Sequence, residues 1–461
     1  MCDVLGARLL ATWTSCTCNF LLSATSMSMT SRTKRRMEQF LLLFLFSILS
    51  LVSARSALFL APRSNFRYSS AAESVKLNAH AVIVGKIILD KYGPPKEDDG
   101  GDDNCGVTIG GGGPQAAWGA AASLAVREYL SHAAKKPKVN DESMSILHNT
   151  KHQVTFLAPV GTKNWTPSMT EQLSKLLPPA VRVVLVPSSD HITPVINIWH
   201  DERENVRWLP LDGSLFESIG ADGLWQNRPS SQDILNVIQD DKENEDIILH
   251  AIVESGNKPT GQGMDSLPFF DDMLTSRVSA AGIEPIVFAD DVSGKVTCED
   301  SLAVTATIRK IRKAFFDARA RGKETNGHNS RSLFVVTPDR PCYEGMTSNT
   351  DFSMNESEND DNNEFEMIIR DGGNGSFTNE MKMPAATLRT VDKAPVNPTG
   401  AGNAFSAAYV VCRGTGSSPK EAACIATAVG AVVCEYEHLP PLEVVERIAE
   451  AVCEVRSKYN D

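Results

Sequence analysis

Long apolar runs are almost absent from this 461-residue sequence, and the longest, residues 40–52, has only 13 residues. A membrane-spanning helix needs about 20, so this run does not predict a comfortable transmembrane segment. The basic segment 32–36 precedes it, and small residues such as Ser53 and Ala54 follow it. Because this order is typical of a secretory signal peptide, we predict one here, with a true start at Met37 or a nearby methionine.

Acidic residues are missing from the next stretch, 58–72, which contains arginine and serine. Such a composition is typical of a transit peptide. A signal peptide followed by a stretch of this kind resembles the bipartite plastid presequence of algae with complex plastids. We therefore predict that residues 1–72 direct the protein to a plastid and that it is not a membrane protein after processing. The alternatives are the secretory or endomembrane system and a membrane anchor.

Basic residues are in the minority, with 45 Lys and Arg against 57 Asp and Glu, a formal net charge of −12. Residues 1–72 hold 8 basic and 2 acidic residues, so residues 73–461 have a net charge of −18. This balance argues against nucleic acid as the main partner, because its phosphate backbone needs a basic surface. The hydrophobic content of 42% excludes wholesale disorder.

Cysteine pairs with CxxC spacing are absent from residues 73–461, which contain seven cysteines. An odd number without such pairs is a poor disulfide framework and a poor zinc site. Several of these cysteines lie in apolar helical patterns, where cysteine behaves as a small buried hydrophobe. This usage favours a reducing compartment such as a plastid stroma.

Short apolar runs alternate with helical patterns throughout residues 73–461. Strands are predicted at 80–89, 154–160, 181–186, 246–253, 285–289 and 332–337, and helices at 114–130, 301–320, 404–411 and 419–436. This alternation predicts an α/β fold with a mostly parallel or mixed sheet and helices on both faces. We also predict a small β lid at about 181–211 and a flexible acidic surface insertion at about 347–366.

The segment 397–405, NPTGAGNAF, runs from turn residues directly into an apolar helix. Its glycines allow consecutive backbone N–H groups to point at one spot, at a helix N-terminus where the dipole favours an anion. A phosphate group, or the charge that develops during phosphoryl transfer, is a natural occupant. The alternative is a tight helix start with no ligand.

This segment resembles the second signature of the PfkB, or ribokinase-like, carbohydrate kinase family, whose usual form is Asp-Thr-Thr-Gly-Ala-Gly-Asp-x-Phe. Further similar segments follow in the family's order, at 85–90, 110–115, 156–161, 288–291, 335–337 and 422–437. The likeness spans about residues 78–455, and only 397–405 is individually specific. It implies a ribokinase-like fold and an enzyme that uses ATP and Mg²⁺ to phosphorylate a hydroxyl of a sugar, polyol or nucleoside.

The resemblance also implies roles for individual residues. Asn403 would take the catalytic position. The backbone N–H groups of Gly400, Ala401 and Gly402 would stabilise the negative charge that develops during phosphoryl transfer. Four residues would hold the acceptor, namely Asp90, Gly111, Gly112 and Gln115. Five would contact the nucleotide, namely Thr399, Gly400, Gly402, Ala428 and Glu437. Because the family often pairs through lid strands, a homodimer is one option.

The sequence departs from the family's pattern at the positions of both usual carboxylates, which are Asn397 and Asn403 here. An amide oxygen is far too weakly basic to accept a proton at neutral pH. No Asn-x-x-Glu motif occurs between Asp291 and Val335, so the magnesium ligands stay open. Two hypotheses follow: a kinase in which another carboxylate supplies the base or Asn403 orients the acceptor hydroxyl, and a pseudokinase that serves as a ligand-binding or scaffold protein.

Overall fold

The computed structural model describes twelve stretches of the chain, all within one compact unit, Ser74–Asp461. These are residues 79–92, 107–135, 154–189, 192–200, 206–210, 229–240, 246–255, 277–287, 298–326, 332–348, 363–441 and 444–460. The predicted presequence and the segment 288–291 lie outside these residues. No helix in the described stretches is long and apolar enough to span a membrane.

Seven strands form the central sheet, and every neighbouring pair in it is parallel. Across the sheet they are β11 (Asn363–Met367), β10 (Ser332–Val336), β9 (Val278–Val287), β8 (Ile247–Ser255), β1 (His80–Val84), β4 (Val154–Gly161) and β5 (Val181–Ser188). β9 begins several residues before the predicted start at 285. The carboxyl ends of parallel strands meet at one edge of a sheet, where ligands of open α/β folds bind.

Helices cover both faces of this sheet. Along β1, Ala81 and Ile83 belong to one buried apolar cluster, and Val82 and Val84 belong to the other. The first cluster is shared with α1 (Gly112–Lys135), α2 (Pro167–Leu176), α6 (Ala401–Gly414), α7 (Pro419–Val433) and α8 (Val445–Asn460). The second is shared with α3 (Ser231–Asp240), α4 (Cys298–Asn326) and α5 (Arg340–Ser348). The predicted α/β class, with a parallel sheet between two helical layers, is confirmed.

A separate four-stranded sheet corresponds to the predicted lid, with different boundaries. It contains β3 (Val107–Gly110), β2 (Ile88–Tyr92), β6 (Val195–His200) and β7 (Val206–Pro210), in that order. Residues 181–188 were assigned to the lid from the sequence, but they form β5 and pair with β4 at the edge of the central sheet. A third small sheet joins β12 (Ile369–Arg370), β13 (Ser376–Phe377) and β14 (Lys382–Met383).

Both ends of the predicted acidic insertion lie in regular secondary structure. Helix α5 extends through Ser348, and β11 begins at Asn363, so only residues 349–362 of the predicted insertion lie outside the described structure. The acidic residues of β11 are not merely solvated. Glu366 pairs with the buried Arg413 of α6, and Glu364 lies 2.9 Å from the same guanidinium. These pairs fasten helix α6 to the edge of the central sheet.

Candidate functional site

The loop before helix α6 has the geometry of an anion-binding turn. Gly400 precedes the helix with φ 88°, a left-handed conformation that glycine adopts at little cost. The backbone N–H of Thr399 donates to Asn397 Oδ1 at 3.0 Å, and that of Ala401 reaches Pro398 O at 3.3 Å. Within the described residues, the N–H groups of Gly402 and Asn403 have no backbone acceptor. The loop therefore presents two free donors at a helix N-terminus.

Asn397 has a structural role that explains its amide. Its Nδ2 donates to the Glu437 carbonyl at 2.9 Å, while its Oδ1 accepts the Thr399 bond. The neighbouring Val396 N–H donates to Cys434 O at 2.8 Å. These bonds connect the anion loop to the segment that follows α7. A carboxylate could accept the bond from the Thr399 N–H but could not donate one to the Glu437 carbonyl.

We expect Asn397→Asp to lower the free energy of unfolding by about 1–3 kcal/mol, because the Glu437 carbonyl loses its donor and faces a negative oxygen instead. Chemical denaturation near pH 8 measures this loss. The control is Asn374→Asp, which makes the same change on an exposed turn residue and should leave stability nearly unchanged. Equal stability of the two variants would mean that the bond to Glu437 does not hold the loop.

A cavity of about 210 Å³ lies beside this loop. Its walls come from β3, the starts of α1 and the anion loop, helix α2 and the segment after α7. They include Thr108, Gln115, Gln172, Thr399, Tyr436 and Glu437. The structure thus brings one residue predicted for the acceptor, Gln115, together with two predicted for the nucleotide, Thr399 and Glu437.

Other predicted residues do not line this cavity. Ala428 is completely buried inside α7, so it offers no surface to a nucleotide and instead packs in the core. Gly112 lies behind the cavity wall, where a β-carbon on it would stand 3.1 Å from Asn403 Nδ2. Gly111 has φ 90° at the turn between β3 and α1. Gly111 packs against the segment before β2, and Gly112 lets the start of α1 approach Asn403 of helix α6.

Asp90 is a buried carboxyl group without a side-chain partner. It is 1% exposed, and among the described residues only the Gly111 backbone N–H lies close enough to interact with its oxygens, outside regular hydrogen-bond geometry. A β-carbon on Gly110 would lie 1.6 Å from Asp90 Oδ2, so the carboxyl group packs against a strand that lines the cavity. Burial raises the pKa of Asp90 to about 7, and the Gly111 backbone N–H opposes this only in part. A ligand hydroxyl is the kind of donor that this group lacks.

We expect Asp90→Asn to stabilise the free protein in a pH-dependent way. A carboxyl with a raised pKa stabilises the fold fully only below its unfolded pKa, and this contribution is lost as the pH rises toward about 7. Relative to wild type, the free energy of unfolding of the variant should rise by roughly 1.4 kcal/mol per pH unit between about pH 4 and 7. Denaturation at a series of pH values measures this. A pH-independent difference would contradict the burial of a titrating carboxyl at this place.

Sequence reasoning missed the most deeply buried carboxylate of the site, Glu284 of β9. Its side chain is fully buried, and Arg370 of β12 donates to its Oε1 at 2.6 Å. Burial raises the pKa of Glu284 to about 7, Arg370 opposes the rise, and Asp339 adds to it. Arg370 also touches the anion loop, since a β-carbon on Gly402 would lie 2.1 Å from its Nη1. Glu284 therefore holds a guanidinium against the start of helix α6.

Asn403 lies between Glu284 and Gln115. The two ends of an amide have the same shape, so its neighbours decide its orientation. With its nitrogen toward Glu284, Asn403 donates to Oε1 at 2.8 Å, and its oxygen faces the Gln115 amide at 2.6 Å. The reversed orientation donates to Gln115 Oε1 at 2.6 Å but turns the Asn403 oxygen toward the carboxylate. An ionised Glu284 therefore favours the first orientation.

A second set of buried polar groups lies beside Glu284 and consists of His250, Ser406 and Thr337. His250 of β8 is completely buried, with Nε2 2.8 Å from Ser406 Oγ, and Ser406 also contacts the Thr337 hydroxyl. Burial lowers the pKa of His250 to about 3, and Arg370 lowers it further. The imidazole is therefore neutral, and the only cation beside Glu284 in the described residues is Arg370.

These residues fit a phosphate group better than a metal ion. Two free N–H groups and one guanidinium converge at the loop, and these are the donors that phosphate oxygens accept. No three His, Cys, Asp or Glu side chains meet at one point in the described stretches, so they do not supply a full magnesium ligand set. In nucleotide sites Mg²⁺ is usually held by one or two carboxylates together with the phosphates and water.

Comparison with known proteins gives weak likenesses only. No protein-family model and no curated protein sequence matches this chain. Among solved structures it is similar to ribokinase from Thermotoga maritima, with 14% identity, 81% of this chain and 99% of that chain covered, and a TM-score of 0.42. It is also similar to phosphofructokinase-2 from Escherichia coli, with 11% identity, 81% and 99% coverage, and a TM-score of 0.44.

Ribokinase from Cryptococcus neoformans, solved in complex with ADP, is a third such structure, with 15% identity, 80% and 98% coverage, and a TM-score of 0.44. Because each of these TM-scores is below 0.5, the likenesses support no conclusion about the activity of this chain.

Proposed function

We propose that this protein is a PfkB-type phosphotransferase, which transfers the γ-phosphoryl group of a magnesium nucleotide to a hydroxyl of a small uncharged acceptor. The observation that carries the proposal is the anion loop. Two free backbone donors, at Gly402 and Asn403, and the Arg370 guanidinium meet at one helix N-terminus, next to a cavity. Phosphoryl transfer depends mainly on positioning and on stabilising negative charge, which such an arrangement provides.

The chain's own residues would share the remaining work. The free N–H groups and Arg370 would stabilise charge on the transferred group. Asp90 has no side-chain partner among the described residues and would accept a hydrogen bond from an acceptor hydroxyl. Asn403 would orient the reacting hydroxyl, because its amide can bind a hydroxyl but cannot act as the base. The nucleotide supplies the phosphoryl group and its own magnesium.

The cavity favours a small neutral acceptor. Its described lining carries one charged side chain, Glu437, and no Lys or Arg, together with neutral polar groups such as Thr108, Gln115, Gln172 and Asn397. A phosphorylated acceptor would find no Lys or Arg there, whereas hydroxyl groups would find amide and hydroxyl partners. The volume of about 210 Å³ is below the 300–1,000 Å³ or so of sites for drug-sized ligands. We therefore favour a monosaccharide or polyol over a nucleoside.

A second candidate function, a pseudokinase with a binding or scaffold role, is favoured by a different observation. The carboxylate beside Asn403 is Glu284, which is fully buried and paired with Arg370. An acceptor hydroxyl cannot reach it without rearrangement. Asp290 and Asp291, which follow β9 in the sequence and could also supply a base, lie outside the described residues.

The experiment that separates the two measures ADP formation by the purified protein with ATP, Mg²⁺ and a panel of sugars, polyols and nucleosides. Acceptor-dependent ADP formation that Gly402→Val abolishes supports the enzyme. ATP binding without turnover in the wild type supports the pseudokinase. Absence of both ATP binding and turnover contradicts the enzyme and a nucleotide-binding pseudokinase.

We further propose that residues 1–72 direct the protein to a plastid, which fusion of this segment to a fluorescent protein would test.

A further inference from the structure

Three side chains form a continuous polar line from the buried centre of β9 to the wall of the cavity. Glu284 is the inner end and is completely buried. Asn403 is the middle member, 2.8 Å from Glu284 Oε1 and 2.6 Å from the Gln115 amide. Gln115 is 8% exposed and lines the cavity. The line therefore connects a titratable group with a surface that a ligand touches.

The charge on Glu284 determines which atoms along this line donate hydrogen bonds and which accept them. An ionised carboxylate only accepts, so it requires the Asn403 nitrogen, and the Asn403 oxygen then requires the Gln115 nitrogen. A protonated Glu284 can donate to the Asn403 oxygen. The Asn403 nitrogen then donates to Gln115 Oε1, as in the second orientation, at 2.6 Å. Each orientation of Asn403 thus demands one orientation of Gln115.

We propose that Glu284, Asn403 and Gln115 form an amide relay, in which the charge on Glu284 determines which end of the Gln115 amide faces the cavity. With Glu284 ionised, Gln115 presents its oxygen and accepts a bond from a ligand hydroxyl. With Glu284 protonated, Gln115 presents its NH₂ group and instead binds a ligand atom that accepts a hydrogen bond. Glu284 is a positioning residue in this relay. Only the identity of the ligand, a hydroxyl compound, rests on the proposed phosphotransferase function.

The groups that face Glu284 allow the relay to change near neutral pH. Arg370 approaches from β12, His250 lies 4.0 Å away on β8, and Asp339 follows β10. His250 stays neutral, so it adds no charge. Burial and Asp339 raise the pKa of Glu284 to about 7, and Arg370 limits the rise. Both charge states of Glu284 are then populated around neutral pH.

The test follows the side-chain NH₂ groups of Asn403 and Gln115 by NMR in the ligand-free protein, labelled with ¹⁵N at asparagine and glutamine. The signals are assigned from their loss in Asn403→Asp and Gln115→Glu. We expect both to shift with one common midpoint near pH 7 in the wild type. Asn397 is the internal control, because its NH₂ group donates to a backbone carbonyl and should not share that midpoint.

Two variants keep the outcome decisive. In Glu284→Gln, the common shift of the Asn403 and Gln115 signals should disappear. Should that variant not fold, Asp90→Asn removes the other buried carboxyl with a pKa near 7 and should leave the shift in place. Independent midpoints for the two amides, or a Gln115 signal that ignores Glu284→Gln, would overturn the relay. Since no turnover is measured, these results stand whether or not the protein transfers phosphate.

Discussion

Replacing Gly402 by alanine is expected to reduce kcat/KM for phosphoryl transfer by about 10²–10³-fold, the loss seen when one donor to a developing oxyanion is removed. A β-carbon at this position would lie 2.1 Å from Arg370 Nη1, so the guanidinium must move away from the loop. The free N–H groups of the loop remain, but the Arg370 guanidinium, which would stabilise the same negative charge, is displaced. Steady-state kinetics with ATP and the best acceptor of the panel measure the effect.

Gly373→Ala is the matched control for this change. Gly373 lies in an exposed turn, and a β-carbon on it would meet no atom within 4 Å. The control variant should retain nearly wild-type kinetics. If Gly402→Ala were as active as Gly373→Ala, contact between Arg370 and the anion loop would play no part in the reaction.

The second large effect is on stability, where Arg370→Met is expected to lower the free energy of unfolding by about 2–3 kcal/mol at pH 8. The loss arises because Glu284 is left fully buried and without its ion-pair partner. Protonation of Glu284 relieves the unpaired charge, so the loss should shrink as the pH falls from 8 toward about 7 and should be smaller at pH 5.5. Denaturation of wild type and variant at pH 8 and pH 5.5 measures both expectations.

An exposed ion pair provides the control. Arg389 lies 2.6 Å from Glu450, and both side chains are more than half exposed. Arg389→Met should therefore change stability by at most about 1 kcal/mol at either pH. A similar loss for both arginine variants, independent of pH, would mean that Glu284 and Arg370 do not form a buried pair.

The sequence predicted the parts of the fold that depend on local pattern. Buried strands such as β4 and β10 appear as short apolar runs between helical patterns, and a parallel sheet follows from their alternation. The loop before helix α6 was predicted for the same reason, because glycines before an apolar helix allow consecutive N–H groups to point at one spot. Its predicted geometry agrees with the observed left-handed Gly400.

Side chains that meet only in three dimensions were not predictable in this way. Glu284 and Arg370 are 86 positions apart in the chain and become neighbours through the pairing of separate strands. One local signal existed, because Glu284 is the only charged residue in the β9 sequence VSAAGIEPIV, and a lone buried carboxylate needs a partner. The sequence alone did not indicate which cation would provide it.

Two boundaries were wrong for a related reason. The sequence predicts a short apolar strand at 181–186, which suits a lid as well as a sheet edge, and only the pairing of β5 with β4 decides between them. The acidic composition near residue 364 suggested a solvated loop. Its carboxylates instead pair with Arg413, which lies 49 positions later in the chain.

The central claim is that the loop at Gly400–Asn403 supports transfer of a phosphoryl group from a nucleotide to a hydroxyl. The most direct measurement incubates the purified protein with γ-³²P-labelled ATP, Mg²⁺ and the acceptor panel, beside Gly402→Ala. We predict a labelled acceptor product in the wild type and a yield lower by about 10²–10³-fold in the variant. Absence of labelled product with every acceptor, or equal yields from both proteins, would contradict the claim.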